Sequence, residues 1–157
     1  ATIKENNDIQ FIWQTGKYYY PQVTEAVRAA GELPNLYVTD FIKDMAAAYA
    51  ASDLVISRAG AGSISEFCLL HKPVVLVPSP NVAEDHQTKN ALALVDKQAA
   101  IYVKDSEAEA KLMDVALNTV ADDRKLKELS ENIAKLALPD SARIIAQEVI
   151  KLAEAEN

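Results

Sequence analysis

The sequence predicts an α/β domain in which helices flank a parallel β-sheet. Between residues 9 and 103, short apolar segments alternate with helical patterns, as in chains built from successive βαβ units. Two of the apolar segments, residues 54–56 and 74–77, lack alternating polar residues, which is typical of strands covered on both faces. We therefore expect right-handed crossovers that connect parallel strands.

Five strands and four helices are expected in this region. We expect Gly31 to end the first helix, Pro73 and Pro78 to bracket the fourth strand, and Asp85 to cap the helix after it. The expected strands comprise residues 9–13, 36–38, 54–57, 74–77 and 100–103, and the expected helices comprise residues 19–30, 44–51, 63–70 and 85–97.

Charged residues become more frequent after residue 103. The apolar spacing there predicts two or three amphipathic helices that pack over the sheet, and Pro139 ends one of them. We expect a single domain over residues 1–157 with a helical carboxyl-terminal part from about residue 104. Because the chain opens at Ala1, without Met and in a polar stretch, we expect a fragment of a longer protein.

The composition excludes several classes of function. The chain carries 16 basic and 23 acidic residues, a net charge of −7, so it is a poor general binder of nucleic acid or anionic lipid. Its one cysteine, Cys68, excludes an internal disulfide and a cysteine-based metal cage, and two histidines are few for a metal site. No apolar run approaches the roughly 18 residues that span a bilayer, and no signal peptide pattern is present. We therefore expect a soluble domain without a metal.

The most informative stretch is the glycine-bearing turn between the third strand and the following helix, Ser57-Arg58-Ala59-Gly60-Ala61-Gly62-Ser63-Ile64-Ser65-Glu66. Gly60 and Gly62 permit backbone angles and a close approach that side chains would block. The first turn of the helix exposes unpaired N–H groups, which suit a phosphate at the carboxyl end of a parallel strand.

The same stretch is compatible with a structure that needs no ligand. Ser63 and Glu66 have the spacing of a capping box, in which Ser63 caps the helix and Glu66 reaches back. If Glu66 instead faces a ligand, its charge would repel a phosphate, so it should accept hydrogen bonds from a neutral group such as the ribose hydroxyls. The spacing alone leaves ligand binding and simple capping equally open.

Three further strand ends carry candidate residues. Gln14-Thr15-Gly16-Lys17 follows the first strand, lacks the spacing of a P-loop, and is either a turn or part of a cleft wall. Phe41 and Ile42 follow the second strand and either cap a flat base or pack in the core. His86 and Gln87 lie in the first turn of the helix after the fourth strand, where they suit a sugar or face solvent.

Four stretches in series resemble the carboxyl-terminal half of the MurG family of bacterial N-acetylglucosaminyltransferases. They are residues 14–17, 38–45, 57–66 and 84–91, and they occur in the family's order and at its spacing over most of residues 9–150. The resemblance implies a Rossmann-like parallel sheet flanked by helices, the donor-binding half of a GT-B glycosyltransferase.

The resemblance also implies roles for individual residues. The donor-binding set comprises Phe41, Ile42, Ala61, Gly62, Ser63, Glu66, His86 and Gln87, and the possible cleft wall comprises Gln14, Gly16, Arg58 and Gly60. In this set Phe41 and Ile42 border the uracil, the Ile42 backbone reads its edge, and Glu66 accepts both ribose hydroxyls. Residues 61–63 line the diphosphate and residues 86 and 87 contact the sugar, although His86 departs from the pair of glutamines that some members carry.

The activity implied by the resemblance is transfer of GlcNAc from UDP-GlcNAc to lipid I, undecaprenyl-pyrophosphoryl-MurNAc-pentapeptide, giving lipid II in peptidoglycan synthesis. It requires no cofactor and is located at the cytoplasmic face of the bacterial inner membrane. The acceptor site, the membrane contact and the expected catalytic base belong to an amino-terminal half that this sequence lacks. We therefore expect no catalytic residue in this chain, no activity from it alone, and no nucleic-acid partner.

The resemblance also implies a missing first strand, which is central in the usual strand order of such sheets. We therefore expect a gap in the sheet, or a strand supplied by a neighbouring chain. A continuous ladder between the strands at residues 9–13 and 54–57 would refute the gap.

Three other functions remain open from the sequence. The chain is compatible with a subunit of a split transferase for lipid-linked sugars, which needs a membrane partner chain. It is also compatible with half of a UDP-sugar 2-epimerase, which releases free sugar and needs no lipid. A non-catalytic nucleotide-binding or structural module, in which Glu66 is only a cap, is the third alternative.

Overall fold

The computed structural model describes residues 2–80 and 85–155. The chain comprises two compact units that divide between Ser52 and Asp53, and each is described by itself. The single domain expected over residues 1–157 stays a prediction.

The first unit contains a pair of parallel strands with three helices. Its elements are α1 (Thr2–Glu5), β1 (Phe11–Gln14), α2 (Gly16–Ala30), β2 (Leu36–Thr39) and α3 (Met45–Ala51). The ladder between β1 and β2 starts with Phe11 opposite Leu36 and ends with Gln14 opposite Thr39. Both strands therefore end at the same edge of the pair.

Local sequence signals account for the helix ends in this unit. Gly31 follows α2 with a φ of 88°, a left-handed value that glycine adopts without steric cost. Asp44 caps α3, because its carboxylate accepts a hydrogen bond from the Ala47 N–H at 2.9 Å. The structure also extends α2 back to Gly16, three residues before the expected start and through Pro21, which lies in its second turn.

The described residues of the second unit form a three-stranded parallel sheet with five helices. The strands, in the order β3-β4-β5, are β3 (Val55–Ser57), β4 (Val74–Leu76) and β5 (Ile101–Tyr102). The helices are α4 (Ala61–Leu70), α5 (His86–Val95), α6 (Asp105–Val120), α7 (Asp123–Ala134) and α8 (Ser141–Ala155).

The core of the second unit is built on β4. Its three residues are fully buried, as the uninterrupted apolar run at residues 74–77 predicts. Val103 and the apolar side of α6, including Leu112 and Val115, pack against Val75 and Val77. Helices α4 and α7 are in contact and bury Phe67, Leu129 and Ile133 completely. This core holds the β3–α4 turn on a rigid support.

The expected strands and helices are present in the described part of the chain, with ends that shift by a few residues. All three strand pairings are parallel, as predicted. The five strands form two separate hydrogen-bonded sheets, and no ladder between described residues joins β1 to β3. The described residues thus do not form the continuous ladder that would refute the predicted gap, and the missing first strand stays a prediction.

Among the described residues, no helix is both long enough and apolar enough to cross a membrane.

Candidate functional site

In the first unit, the pairing of β1 with β2 continues past the ends of both strands. The Thr15 N–H donates to the Thr39 carbonyl at 3.0 Å, and the Gly16 N–H donates to the Asp40 carbonyl at 3.1 Å. Gly16 has a φ of 75°, a conformation that side chains disfavour, so the glycine allows the chain to turn into α2 directly after this contact. The loop after β2, residues 40–43, is thereby tied to the end of β1.

A side-chain contact also fixes this β2 loop. The Gln14 side-chain oxygen accepts a hydrogen bond from the Ile42 N–H at 2.8 Å, so Gln14 holds the middle of this loop. The Ile42 carbonyl oxygen accepts no hydrogen bond from any described residue. Within this unit Phe41 is 61% exposed, which argues against the alternative that its ring packs in the unit's own core.

In the second unit, the turn after β3 leads directly into the amino end of α4. The first backbone hydrogen bond of the helix runs from the Ile64 N–H to the Gly60 carbonyl at 3.0 Å. The N–H groups of Ala61, Gly62 and Ser63 consequently have no acceptor within the helix. Ala61 and Gly62 are exposed, so the helix start that we expect to bind a phosphate is open to solvent.

The two glycines of this turn do not have the special backbone angles expected from the sequence. Gly60 has φ −69° and ψ 142°, which any residue adopts, and Gly62 lies inside the helix. A Cβ built on either glycine would meet no described atom within 4 Å. The prediction of backbone angles that side chains would block is therefore wrong, and the glycines instead leave open space beside the helix start.

The capping box, which the sequence left open as the alternative to ligand binding, does not form. Because α4 begins at Ala61, its N-cap is Gly60, and Ser63 is the third residue of the helix rather than its cap. Glu66 consequently lies in the second turn, where it does not have the N3 position of a capping box. Glu66 is exposed on α4, and the alternative in which it is only a cap loses its geometric basis.

Arg58 connects the carboxyl ends of all three strands of the second unit. Its guanidinium donates to the carbonyl oxygens of Val77 at 3.1 Å and Pro78 at 3.4 Å and forms an ion pair with Asp105 at the start of α6. Rather than standing free on a cleft wall, Arg58 fixes the loops that follow β3, β4 and β5.

The start of α5 meets the same loops. The Gln87 side-chain oxygen accepts hydrogen bonds from the Ala59 N–H at 3.2 Å and the Ser79 N–H at 2.9 Å, and the Asn90 amide donates to the Ala59 carbonyl at 3.2 Å. His86 is exposed as the first residue of α5. Both predicted residues therefore lie in the first turn, and Gln87 has a structural role there.

The prediction that Asp85 caps α5 with its side chain is wrong. Asp85 occupies the N-cap position, but it has a φ of 55° and its side chain accepts no capping hydrogen bond. Residues 81–84, which include the first residue of the predicted 84–91 motif, lie outside the described residues.

Sequence reasoning missed Asn90 and Asp105. Asp105 lies 47 residues after its partner Arg58, and Asn90 lies 31 residues after Ala59, so no local pattern connects them. Only the periodicity that places α5 and α6 after neighbouring strands could have suggested these contacts.

In residues 2–80 and 85–155, no group of three or more histidine, cysteine, aspartate or glutamate side chains is arranged to hold a metal ion. The one thiol near the site is Cys68 on the inner side of α4, and burial raises its pKa. A buried thiol with a raised pKa is a poor nucleophile.

Comparison with models of known protein families identifies the family of this chain. The model that describes the glycosyltransferase family 28 C-terminal domain matches residues 1–145. The chain belongs to this family. Its fold is that of a Rossmann-like half of a GT-B glycosyltransferase, with parallel strands flanked by helices.

Two curated relatives of this family 28 domain carry the same name. The chain is 80% identical over 152 residues to the UDP-N-acetylglucosamine--N-acetylmuramyl-(pentapeptide) pyrophosphoryl-undecaprenol N-acetylglucosamine transferase of Bacteroides fragilis. The alignment covers 97% of this chain and 40% of that protein. The protein of the same name from Phocaeicola vulgatus is 70% identical over 145 residues, or 92% of this chain and 39% of that protein. The chain thus spans about 40% of the length of the curated relatives it matches.

Solved structures agree with the family 28 fold. Acinetobacter baumannii MurG is 31% identical with a TM-score of 0.76, and the match covers 89% of this chain and 42% of that one. The glycosyltransferase VinC, solved with DTDP, has a TM-score of 0.72 at 19% identity, and the match covers 98% of this chain and 37% of VinC. The solution structure of ALG13 has a TM-score of 0.54 at 22% identity, covering 74% of this chain and 72% of ALG13. The last two matches concern the fold alone.

Proposed function

We propose that this chain is the donor-binding part of an enzyme that transfers GlcNAc from UDP-GlcNAc to undecaprenyl-pyrophosphoryl-MurNAc-pentapeptide, giving lipid II. The observation that carries the proposal is the 80% identity, over 97% of the chain, to a transferase of that name. Because the chain spans 40% of that relative, the complete reaction is assigned to a longer protein of which these residues form one part.

The amino end of α4 is the proposed position of the donor diphosphate. The N–H groups of residues 61–63 lack acceptors within the helix, and the helix dipole adds a partial positive charge there. In an inverting displacement at the anomeric carbon, UDP leaves and negative charge grows on its diphosphate. N–H groups held in place by a helix stabilise that charge without reorganising, which is the contribution that this domain makes to the reaction.

The uridine and the sugar are assigned to the flanking residues. Glu66 lies in the second turn of α4, beyond the diphosphate position, and its carboxylate accepts both ribose hydroxyls. Phe41 and Ile42 border the uracil. His86 and Gln87 contact the sugar, and since the Gln87 oxygen already accepts two backbone N–H groups, its amide group is the part that donates to a sugar hydroxyl.

The remaining properties of the enzyme are proposed for the longer protein. Its other half supplies the lipid acceptor site, the catalytic base and the contact with the cytoplasmic face of the bacterial inner membrane. The reaction requires no cofactor, because the helix N–H groups take up part of the diphosphate charge. The 157-residue chain alone is proposed to bind the donor weakly and to catalyse nothing.

Titration of the ¹⁵N-labelled chain with UDP-GlcNAc tests the donor assignment. The amide resonances of Ala61, Gly62 and Ser63 should shift, and those of α8, such as Val149, should not. Mixing the chain with a lipid I analogue and UDP-GlcNAc should give no product. Robust transfer by the chain alone, or shifts confined to other regions, would contradict the proposal, and release of free sugar by the longer protein without lipid would favour an epimerase.

A further inference from the structure

We propose that Arg58 is a positioning residue that orients the side chain of Gln87 toward the sugar of the donor. It does so through the peptide group that joins Pro78 to Ser79. The inference rests on the proposed function, which assigns the donor diphosphate to residues 61–63 and the sugar to the start of α5. Arg58 then acts on the donor through the loop that it holds.

The β4 loop, residues 77–80, offers few backbone donors by which the protein can hold it. The Val77 N–H donates to the end of β3 at 2.9 Å and continues the pairing of the two strands. Pro78 and Pro80 have no N–H group, so Ser79 carries the one N–H group of the loop after Val77. Carbonyl oxygens are therefore the main backbone groups through which this loop can be fixed.

One peptide group of the β4 loop is held at both of its polar ends. Nη1 of Arg58 donates to the Pro78 carbonyl at 3.4 Å, and also to the preceding Val77 carbonyl at 3.1 Å. The Gln87 side-chain oxygen accepts the Ser79 N–H at 2.9 Å. The Pro78 carbonyl and the Ser79 N–H belong to the same planar peptide unit and point in opposite directions. A rotation of this rigid unit would therefore disturb both contacts at once.

The orientation of Gln87 depends on this peptide group. Its side-chain oxygen is shared between the Ser79 N–H at 2.9 Å and the Ala59 N–H at 3.2 Å. Because both N–H groups fix the oxygen, the direction in which the Gln87 amide can donate to a sugar hydroxyl is fixed as well. Without Arg58, the peptide group turns more freely, and the longer contact with Ala59 is left to orient the side chain.

The diphosphate position does not depend on Arg58 in this way. Residues 61–63 belong to α4, which is anchored by the fully buried Phe67 and by its contact with α7. Removal of the guanidinium should therefore weaken the contacts with the sugar and leave those with UDP unchanged. This difference separates a positioning role from general damage to the site.

Four variants isolate the contacts of Arg58. Arg58→Met removes the donors, and because the side chain is 55% exposed, it leaves no buried cavity. Arg58→Lys keeps a cation with three donors, which suits contacts that one nitrogen makes. Asp105→Asn removes the charge of the ion pair and keeps an acceptor oxygen beside Arg58. Arg28→Met breaks an exposed ion pair with Glu25 on α2 and is the matched control.

The experiment measures the dissociation constants of UDP and UDP-GlcNAc for each variant in the longest natural protein that contains this chain. Arg58→Met should bind UDP as the wild type does and lose about five-fold in affinity for UDP-GlcNAc, the value of one hydrogen bond. Arg58→Lys should recover most of this loss, and Asp105→Asn and Arg28→Met should retain the wild-type values. Amide hydrogen exchange should accelerate at Ser79 in Arg58→Met and stay unchanged at Ile64 in α4.

A double variant tests whether Arg58 acts through Gln87. Gln87→Leu removes the side chain that Arg58 is proposed to orient. In that background, Arg58→Met should cause no further loss of UDP-GlcNAc affinity, because residues that act on one contact have non-additive effects. The full five-fold loss in the Gln87→Leu background would show that Arg58 does not act through Gln87 and would overturn the inference.

The outcomes distinguish this inference from the proposed function. If the wild type binds neither UDP nor UDP-GlcNAc, the proposed function fails and the inference fails with it. If the wild type binds both and Arg58→Met leaves the ratio of their dissociation constants unchanged, the role of Arg58 is overturned and the proposed function stands. Equal losses for the two ligands belong to this second outcome, because they show general damage to the site.

Discussion

The Gln87 side-chain oxygen lies 2.9 Å from the Ser79 nitrogen and accepts its N–H, as it also accepts the N–H of Ala59 at 3.2 Å. One side chain at the start of α5 thus joins the loops that follow β3 and β4. The amino end of α4, which begins two residues after Ala59, therefore depends on a residue more than twenty positions away in the sequence.

Replacing Gln87 should destabilise the second unit. Gln87→Leu leaves the N–H of the fully buried Ala59 without its acceptor, at a cost of about 1–3 kcal/mol in the free energy of unfolding. Urea unfolding measures this cost. Gln87→Glu, which keeps an acceptor oxygen, should lose less, and Gln147→Leu on the exposed α8 should change stability by less than about 0.5 kcal/mol. Equal losses at positions 87 and 147 would contradict this role.

Arg58 should matter more to stability than its partner Asp105. Arg58→Met removes the ion pair and the donors to the carbonyls of Val77 and Pro78, at about 1–2 kcal/mol, whereas Asp105→Asn weakens only a partly exposed pair, at under about 1 kcal/mol. Because both changes break one shared contact, the double variant should lose less than the sum. Additive losses in urea unfolding would show that the ion pair contributes nothing.

Asn35 should tolerate alanine better than aspartate. Its buried amide donates to the carbonyl oxygens of Ile3, Asn6 and Ile9 at 2.9–3.0 Å. Asn35→Ala loses these bonds, at about 1–3 kcal/mol, while Asn35→Asp places a carboxylate against three carbonyl oxygens and should cost more at neutral pH. Asn7→Asp, on the exposed surface, is the control. Thermal unfolding should rank the variants in this order, and a higher melting temperature for Asn35→Asp than for Asn35→Ala would reverse the interpretation.

The stability of the protein should fall at alkaline pH because of Cys68. Burial raises the pKa of this thiol above its ordinary value of 9.0, so the unfolded chain loses the thiol proton first as the pH rises. The contribution of the thiol to stability is complete below the unfolded pKa and is lost as the pH rises through the folded pKa. As the pH rises above about 8, where the thiol of the unfolded chain begins to ionise, the wild type should lose stability more steeply than Cys68→Ala. Parallel profiles in urea unfolding would contradict the expected shift.

The order of elements could be predicted from the sequence because it depends on local patterns. The apolar run at residues 74–77 predicted β4, and Gly31 indicated the end of α2. The start of α4 could not be predicted, because Ser63 and Glu66 have the spacing of a capping box although the helix begins two residues earlier. The capping residue is a glycine without a side-chain signal.

The sequence indicates candidate residues for a site, but it does not indicate their contacts. Strand ends identify Gln14, Ile42, Arg58 and Gln87 as candidates, since parallel strands bring their carboxyl ends to one edge. Their partners lie 28 or 47 residues away for Gln14 and Arg58, and such pairs follow from the packing of whole elements. The sequence therefore could not predict that the side chains of Gln87 and Arg58 hold neighbouring loops together.

Donor binding by Glu66 is tested most directly with two ligands, UDP-GlcNAc and its analogue lacking both ribose hydroxyls. If the Glu66 carboxylate accepts these hydroxyls, Glu66→Ala should lose about ten-fold or more in affinity for UDP-GlcNAc, as expected for hydrogen bonds to a charged group, and nothing for the analogue. Glu109→Ala, on the exposed surface of α6, should bind both ligands as the wild type does. Calorimetric titration that shows unchanged affinity in Glu66→Ala, or the same loss for both ligands, would contradict the account.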